Sequence, residues 1–158
     1  MTITVRRLEA SDIPGLQQLA TDVLRTQQPA AAERIVARVY STESLQRTLS
    51  NTGVTLLLAI EVEQVVGCCR FGSPLFDDCL DRKEIHTLLV HPSADFVPIA
   101  AALLQSVEAH LRELPHVKRV SVYVDPAEAD LIGFYGTKGY KHQPKEDTDG
   151  MWYLEKKW

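Results

Sequence analysis

Between Glu84 and Leu111 the chain reads EIHTLLVHPSADFVPIAAALLQSVEAHL, a strand-like run that stops at His91-Pro92 and restarts as a long helix. Glu84–Val90 is rich in apolar and β-branched residues and reads as a strand. Pro92 and the short turn after it end that strand. Beyond the turn, Ile99, Leu103, Leu104, Val107, Leu111 and Leu114 recur at helical spacing, predicting a helix to about Leu114. The apolar stripe of such a helix has to be buried against another element, so this stretch sets the layering of whatever fold contains it.

The flanking sequence supplies the other elements. Thr2–Leu8 alternates and reads as a strand. Ser11 and Asp12 offer helix N-cap chemistry, Pro14 fits a first turn, and Ile13, Leu16, Leu19, Ala20, Val23 and Leu24 share one helical face up to about Arg25. Gln27–Ala31 interrupts that helix. A second helical region follows from about Ala31 to Tyr40, and Ser41 and Thr42 cap a short helix to about Leu49. Asn51-Thr52-Gly53 is a turn. Val54–Ile60 and Gln64–Gly72 form a hairpin through Glu61-Val62-Glu63. A looser polar stretch, Ser73–Arg82, leads into the central strand. Val117–Asp125 is another strand, and Ala127–Lys138 a short helix ending at Gly139, a natural left-handed C-cap. Tyr140–His142 and Met151–Glu155 close the pattern around a polar turn ending in Asp149-Gly150. The order is β-α-α-β-β-β-α-β-α-β-β with the first α region interrupted. It predicts a single α+β domain over residues 1–158 rather than a doubly wound sheet.

Composition narrows the partners. Apolar residues make up 45% and charged residues 24% of 158 residues, close to the average of folded globular chains. A formal net charge of −4 gives no electrostatic reason to expect nucleic acid or an anionic membrane as the main partner, and such a surface tolerates a cationic acceptor. No run approaches the roughly 18 apolar residues of a membrane span and no signal peptide is legible, so the expected location is cytoplasmic. Cys68, Cys69 and Cys79 are an odd set with two adjacent members, neither a disulfide framework nor a zinc-ligand spacing. They read as reduced structural thiols, and no metal is expected.

Two local patterns carry a resemblance. One is the strand ending in Val90-His91-Pro92 and passing into the long amphipathic helix. The other is ADLIGFYGTKGYK, Ala129–Lys141. Together with the order of elements they resemble the GNAT superfamily of acetyl-CoA-dependent N-acyltransferases, whose C-terminal element reads FYxxxGF. The resemblance implies a GNAT-like, mostly antiparallel central sheet flanked by helices. It also implies acetyl-CoA as co-substrate and a small-molecule or peptide amine as acceptor, with a homodimer left open.

In that family the turn after the central strand binds the pyrophosphate of the co-substrate at a helix N-terminus, where unpaired N–H groups and the helix dipole meet the anion. It reads Arg/Gln-x-x-Gly-x-Gly/Ala there. The matching positions here are Asp95, Phe96, Val97, Pro98, Ile99 and Ala100. Ala100 fits, whereas Asp95 and Pro98 depart: the first places a carboxylate beside an anionic ligand, and the second removes an N–H and adds bulk. Losing one charge-assisted hydrogen bond costs about 1.5–3 kcal/mol, and each ~1.4 kcal/mol is tenfold in affinity. As an ordinary structural feature, the same stretch is a strand–turn–helix with Pro in its first turn. Leu88, Leu89 and Val90 lie on the strand whose backbone, in family members, pairs with the pantetheine arm.

Acyl transfer from a thioester to an amine needs a neutral amine, a polarised carbonyl and an acid for the departing thiolate. The resemblance assigns that acid to Tyr135, with an aromatic packing role as the alternative. Tyr140 occupies the position usually held by Phe and is structural. Glu84 lies where several family members place a general base, and a solvated residue at a strand start is its plain alternative. His86 is two residues on and shares a face with Glu84, either as part of a base relay or as a simple hydrogen-bond partner. His91 is a weaker candidate. Trp152 and Trp158 read as core or dimer contacts, and Lys145–Asp149 as a solvated turn. Two functional readings stand side by side: an N-acyltransferase moving acetyl from acetyl-CoA to a primary amine, and a GNAT-fold binding or regulatory module that has lost normal CoA binding.

Overall fold

Each run of β-branched and apolar residues becomes a strand, and the polar gaps between them become turns. In the computed structural model, which describes residues 2–158, the strands are β1 (Thr4–Arg7), β2 (Val54–Glu61), β3 (Gln64–Gly72), β4 (Arg82–Val90), β5 (Arg119–Val124), β6 (Lys141–His142) and β7 (Trp152–Lys157). The helices are α1 (Ile13–Gln27), α2 (Ala32–Val39), α3 (Thr42–Ser50), α4 (Phe96–Arg112) and α5 (Ala129–Thr137). The expected order holds, with the interrupted first α region resolved into three helices. Hydrogen-bonded neighbours run β1-β2-β3-β4-β5-β7-β6 in a mostly antiparallel sheet, in which β4 and β5 are parallel.

The chain forms two compact units. The first comprises the residues up to Arg70 together with Thr87–Val107, and the second Phe71–His86 with Glu108–Trp158. In the first unit, β1 pairs antiparallel with β2, Thr4 opposite Ile60 and Arg7 opposite Leu57. Its core gathers the predicted face of α1 (Ile13, Leu16, Leu19, Ala20, Val23, Leu24) with Tyr40, Leu45, Leu56, Leu58, Cys68 and Leu89. Ser41 caps α3 as predicted, accepting from the Ser44 N–H at 3.1 Å. Asp12 behaves differently from a simple cap: it accepts from the Glu9 N–H at 2.8 Å and clamps Arg6 through bonds of 2.7 and 2.8 Å. Its pKa is held below the usual carboxylate range chiefly by that guanidinium. The β2–β3 turn places Val62 and Glu63 at φ 50° and 62°, a left-handed geometry that glycine or asparagine would adopt with less strain.

In the second unit, β5 is flanked by β4 and β7 in a register that lines up Glu84, Ser121 and Glu155 across three strands. Arg82, Arg119 and Lys157 form the adjacent row. The other face of β5 carries Val120, Val122 and Val124, all buried. Tyr140 donates its hydroxyl to Glu108 at 3.3 Å, and Lys156 reaches the same carboxylate at 2.5 Å, so Tyr140 has the structural role expected of it. Gly139 sits at φ 93°, the left-handed C-cap conformation predicted for it.

Candidate active site

Period-two spacing on β4 puts Arg82, Glu84 and His86 on one side of the strand. Glu84 is 3% exposed and Arg82 6%, so the solvated alternative for Glu84 does not describe it. Arg82 Nη2 stands 3.8 Å from Glu84 Oε1, beyond hydrogen-bond reach, and Oε1 has no hydrogen-bond donor among the described residues. Burial is the largest influence on this carboxyl and raises its pKa above the ordinary range. The Leu75 N–H and the Arg82 charge offset part of that rise. His86 Nε2 lies 3.8 Å from Glu84 Oε2 but only 2.9 Å from the Ser73 carbonyl oxygen, to which it donates. The two side chains therefore share a face without sharing a hydrogen bond.

Around this pair lies a charged network that sequence reasoning missed. Arg82 Nη2 donates to Asp77 at 2.6 Å, and its guanidinium lies 5.4 Å from the Tyr153 ring centroid. Arg119 donates to Glu155 at 2.8 Å and to Asp81 at 3.1 Å, and its Nη2 reaches Cys79 Sγ at 3.1 Å. The Cys79 thiol donates to Asp81 at 3.0 Å, and the Tyr153 hydroxyl to Glu155 at 2.9 Å. Burial and the Glu155 carboxylate push the Tyr153 hydroxyl well up from its ordinary pKa. A sequence signal existed for part of this: Arg82 is two residues before Glu84, so a strand extended by two residues carries both on one side. Its partners are scattered between Asp77 and Glu155, and no local pattern connects them.

Tyr135, also in the second unit, is 1% exposed on α5, with the rings of Phe134 and Tyr140 at 5.6 and 5.2 Å. It is thus deeply packed, which the aromatic-packing alternative required and which an acid role also tolerates.

In the first unit, Leu89 and Val90 are buried and Leu88 half-buried at the end of β4. Helix α4 opens at Phe96, with Asp95 just before it and Pro98 in its first turn. Among Phe96–Ile99, Pro98 has no N–H to offer an anion at this helix start. Asp95, Val97 and Pro98 are exposed, while Ile99 and Ala100 are buried. The close approach of α4 depends on Gly67 of β3: a Cβ there would lie 2.8 Å from Ile99 Cγ2 and 3.0 Å from the Leu89 carbonyl oxygen. His91 is held by Asp22 at 3.1 Å through Nε2 and by Ser93 Oγ at 2.8 Å through Nδ1, a local brace of the turn. The turn thus lacks, at Pro98, one donor of an anion cradle.

Among the described residues no group of three His, Cys, Asp or Glu side chains is placed to hold a metal ion, and no helix is long and apolar enough to cross a membrane.

Residues 18–140 match the model of the Acetyltransferase (GNAT) family. The fold is shared with solved structures of low sequence identity. The PaiA N-acetyltransferase of Thermoplasma acidophilum, crystallised with coenzyme A, superposes with a TM-score of 0.84 at 20% identity over 100% of both chains. The ribosomal-protein-alanine N-acetyltransferase of Brucella melitensis gives 0.78 at 20% identity, over 98% of this chain and 99% of that one. The GNAT domain of S. lividans PAT gives 0.78 at 19%, over 100% and 92%. No curated protein matches the chain.

Proposed function

The chain belongs to the acetyltransferase (GNAT) family, and from that premise we propose that it moves an acetyl group from acetyl-CoA to a primary amine. The observation that carries this reading is the carboxylate of Glu84: buried, raised in pKa by desolvation, and with one oxygen lacking a donor. A carboxylate in that state is a better base than an exposed one, because its ordinary pKa has been moved toward working pH.

In the proposed step acetyl-CoA supplies an activated thioester. Glu84 accepts the proton of the attacking amine, directly or through a water at Oε1, as the new C–N bond forms. Tyr135 gives its hydroxyl proton to the sulfur as the C–S bond breaks, leaving an amide and free CoA thiol. His86, whose Nε2 proton is directed to Ser73, fixes the backbone beside Glu84 rather than carrying the proton itself. The backbone of Leu88, Leu89 and Val90 lines the pantetheine arm, and the head of α4, from Phe96 through Val97 to Ile99, faces the pyrophosphate. Asp95 borders that cradle and Ala100 closes the turn. The presence of the PaiA enzyme's coenzyme A complex among proteins of the same fold supports a CoA-type ligand.

A second reading is favoured by one observation, the Asp95–Pro98 pair at the head of α4. It is a GNAT-fold module that no longer binds CoA in the usual way. Calorimetric titration with acetyl-CoA, with pantetheine as the control lacking the pyrophosphate, separates the two. The enzyme reading expects micromolar binding of acetyl-CoA and much weaker binding of pantetheine. No heat at millimolar acetyl-CoA would overturn it in favour of the second.

A further inference from the structure

Across β4, β5 and β7 the strand register sets three buried polar side chains in one row, Glu84 opposite Ser121 and Ser121 opposite Glu155. Register partners turn to the same side of a sheet, and neighbouring strands lie about 4.8 Å apart. Ser121 is fully buried, at 0% exposure, and among the described residues its hydroxyl has no hydrogen-bond partner. The same holds for Glu84 Oε1. A buried donor and a buried acceptor, each unpaired, thus occupy neighbouring places on one face of the sheet. Buried polar groups in folded proteins are paired with few exceptions, so both call for a partner.

The groups around this pair direct their short hydrogen bonds elsewhere. On β4 itself, Arg82 Nη2 bonds Asp77 at 2.6 Å and stays 3.8 Å from Oε1, while His86 Nε2 donates to the Ser73 carbonyl at 2.9 Å. The Tyr153 hydroxyl of β7 donates to Glu155 at 2.9 Å, and Arg119 of β5 reaches the same carboxylate at 2.8 Å. Exposed Lys157 lies 3.9 Å from it. Tyr123, next along the Ser121 side of β5, makes a T-shaped contact with the Tyr153 ring, 5.4 Å between centroids. Glu155 therefore has two strong donors, whereas Glu84 Oε1 has none. Of the two carboxylates flanking Ser121, Glu84 is the one that lacks what a hydroxyl supplies. Arg82 Nε is a third buried atom without a partner, and a water joining the three would have the two to four polar partners that a buried water needs.

A hydroxyl suits a carboxyl group that changes charge. It donates to the ionised form and, by rotating, accepts from the O–H of the protonated form. The first of these bonds is charge-assisted and about twice as strong as a neutral one. The hydroxyl therefore favours the form that can take a proton. Rotation about Ser121 χ1, or about the outer torsions of Glu84, is enough to bring such groups together.

We propose that Ser121 is a positioning residue for the proton-accepting carboxylate. Its hydroxyl bonds Glu84 Oε1, directly or through one water, in both charge states. The effect on rate rests on the acetyl-transfer reading, and the bond itself does not.

The test titrates Glu84 by carbon-13 NMR of protein labelled at the glutamate carboxyl carbons, its signal assigned by its loss in Glu84→Gln. Wild type is compared with Ser121→Ala, Ser121→Cys and Ser121→Thr, with thermal unfolding as the control for an intact fold. Cysteine keeps the size but is a weak donor, and threonine keeps the hydroxyl. The expected result is a Glu84 midpoint raised by about one pH unit or more in the alanine and cysteine variants, the worth of one charge-assisted bond. Threonine should stay near wild type, and alanine and cysteine decide the matter if its extra methyl prevents folding. With 2-phenylethylamine, ethanolamine and putrescine as acceptors, the acid limb of kcat/KM should move with the midpoint, and acetyl-CoA affinity should not. An unmoved or lowered midpoint overturns the proposal and leaves the hydroxyl to the Tyr153 oxygen, the competing acceptor. A raised midpoint with an unmoved acid limb also overturns it, because Ser121 would then serve no base in the reaction. A wild-type chain that acetylates none of the three amines overturns the acetyl-transfer reading instead. The midpoint needs no activity and still decides whether the bond exists.

Discussion

Arg82 stands 3.8 Å from Glu84 on the same strand yet directs its short hydrogen bond, 2.6 Å, to Asp77. Glu84 therefore feels one positive and one negative charge that are tied to each other, and the two act on its proton in opposite senses. Removing them one at a time should move its titration in opposite directions. Arg82→Gln takes away the charge that favours the carboxylate, so the acid limb of the kcat/KM profile is expected to shift to higher pH. Asp77→Asn takes away the charge that opposes it, so the limb should shift to lower pH. Profiles that move together, or not at all, would remove Glu84 from the titration that controls rate.

Glu84→Gln tests the base itself. Loss of a general base lowers kcat by about 10²–10⁴-fold, with acetyl-CoA affinity expected to be unchanged by calorimetry. The same substitution has a stability signature. Because burial raises the folded pKa, the folded state holds this proton more tightly than the unfolded chain does. Its stabilising contribution is complete below the ordinary carboxylate pKa and is lost as pH rises through the raised value. Urea midpoints should accordingly fall less between pH 4 and pH 7 in Glu84→Gln than in wild type.

For Tyr135, the measurement is a split between chemistry and binding. Tyr135→Phe is expected to lower kcat by about 10²-fold while acetyl-CoA affinity stays the same. The fold should tolerate the change, because the ring keeps its packing against Phe134 and Tyr140. Wild-type kcat in the variant would leave Tyr135 as packing between Phe134 and Tyr140.

The sequence made the scaffold legible where local chemistry decides the structure. The α1 stripe, the Ser41 cap and the Gly139 stop were all readable, because each rests on residues a few positions apart. The β2–β3 hairpin was readable from strand spacing, although its turn residues Val62 and Glu63 are poor choices for a left-handed geometry. The charged network was illegible for the opposite reason. Arg119 meets Asp81 across 38 positions and Glu155 across 36, and such pairings appear only when the strands are in register. Arg82 was read as the end of a loop, and the burial that makes it matter comes from that register. The site residues read from the resemblance split accordingly: Glu84, His86 and Tyr135 fall in one unit, and the Leu88–Ala100 segment in the other.

The head of α4 offers a gain-of-function test. Pro98→Gly restores a backbone donor and clearance, and Asp95→Gln exchanges an opposing charge for a donor. Each is expected to tighten acetyl-CoA binding by about tenfold, the worth of one good hydrogen bond. Pantetheine affinity should not respond, because that molecule lacks the pyrophosphate. Equal affinities before and after would show that the anion is cradled elsewhere.

Gly67→Ala probes how tightly α4 is set. The new methyl would sit 2.8 Å from Ile99 Cγ2 and 3.0 Å from a backbone oxygen that has little freedom to move. Overpacking of this kind costs about 1–3 kcal/mol, readable as a lowered urea midpoint.

The neighbouring cysteines of β3 lie 1% exposed on opposite sides of the strand, and burial pushes the Cys68 thiol up to about 12 and Cys69 higher still. Thiol reagents attack the thiolate, so in the folded chain these two are shielded twice, by access and by protonation. Cys79 is half-exposed and lacks the shield of access. The chain thus carries its own stopwatch. A maleimide in excess should capture one sulfur promptly and the adjacent pair only as often as β3 comes open, so the lag between the two captures times the breathing of the first unit without any added label.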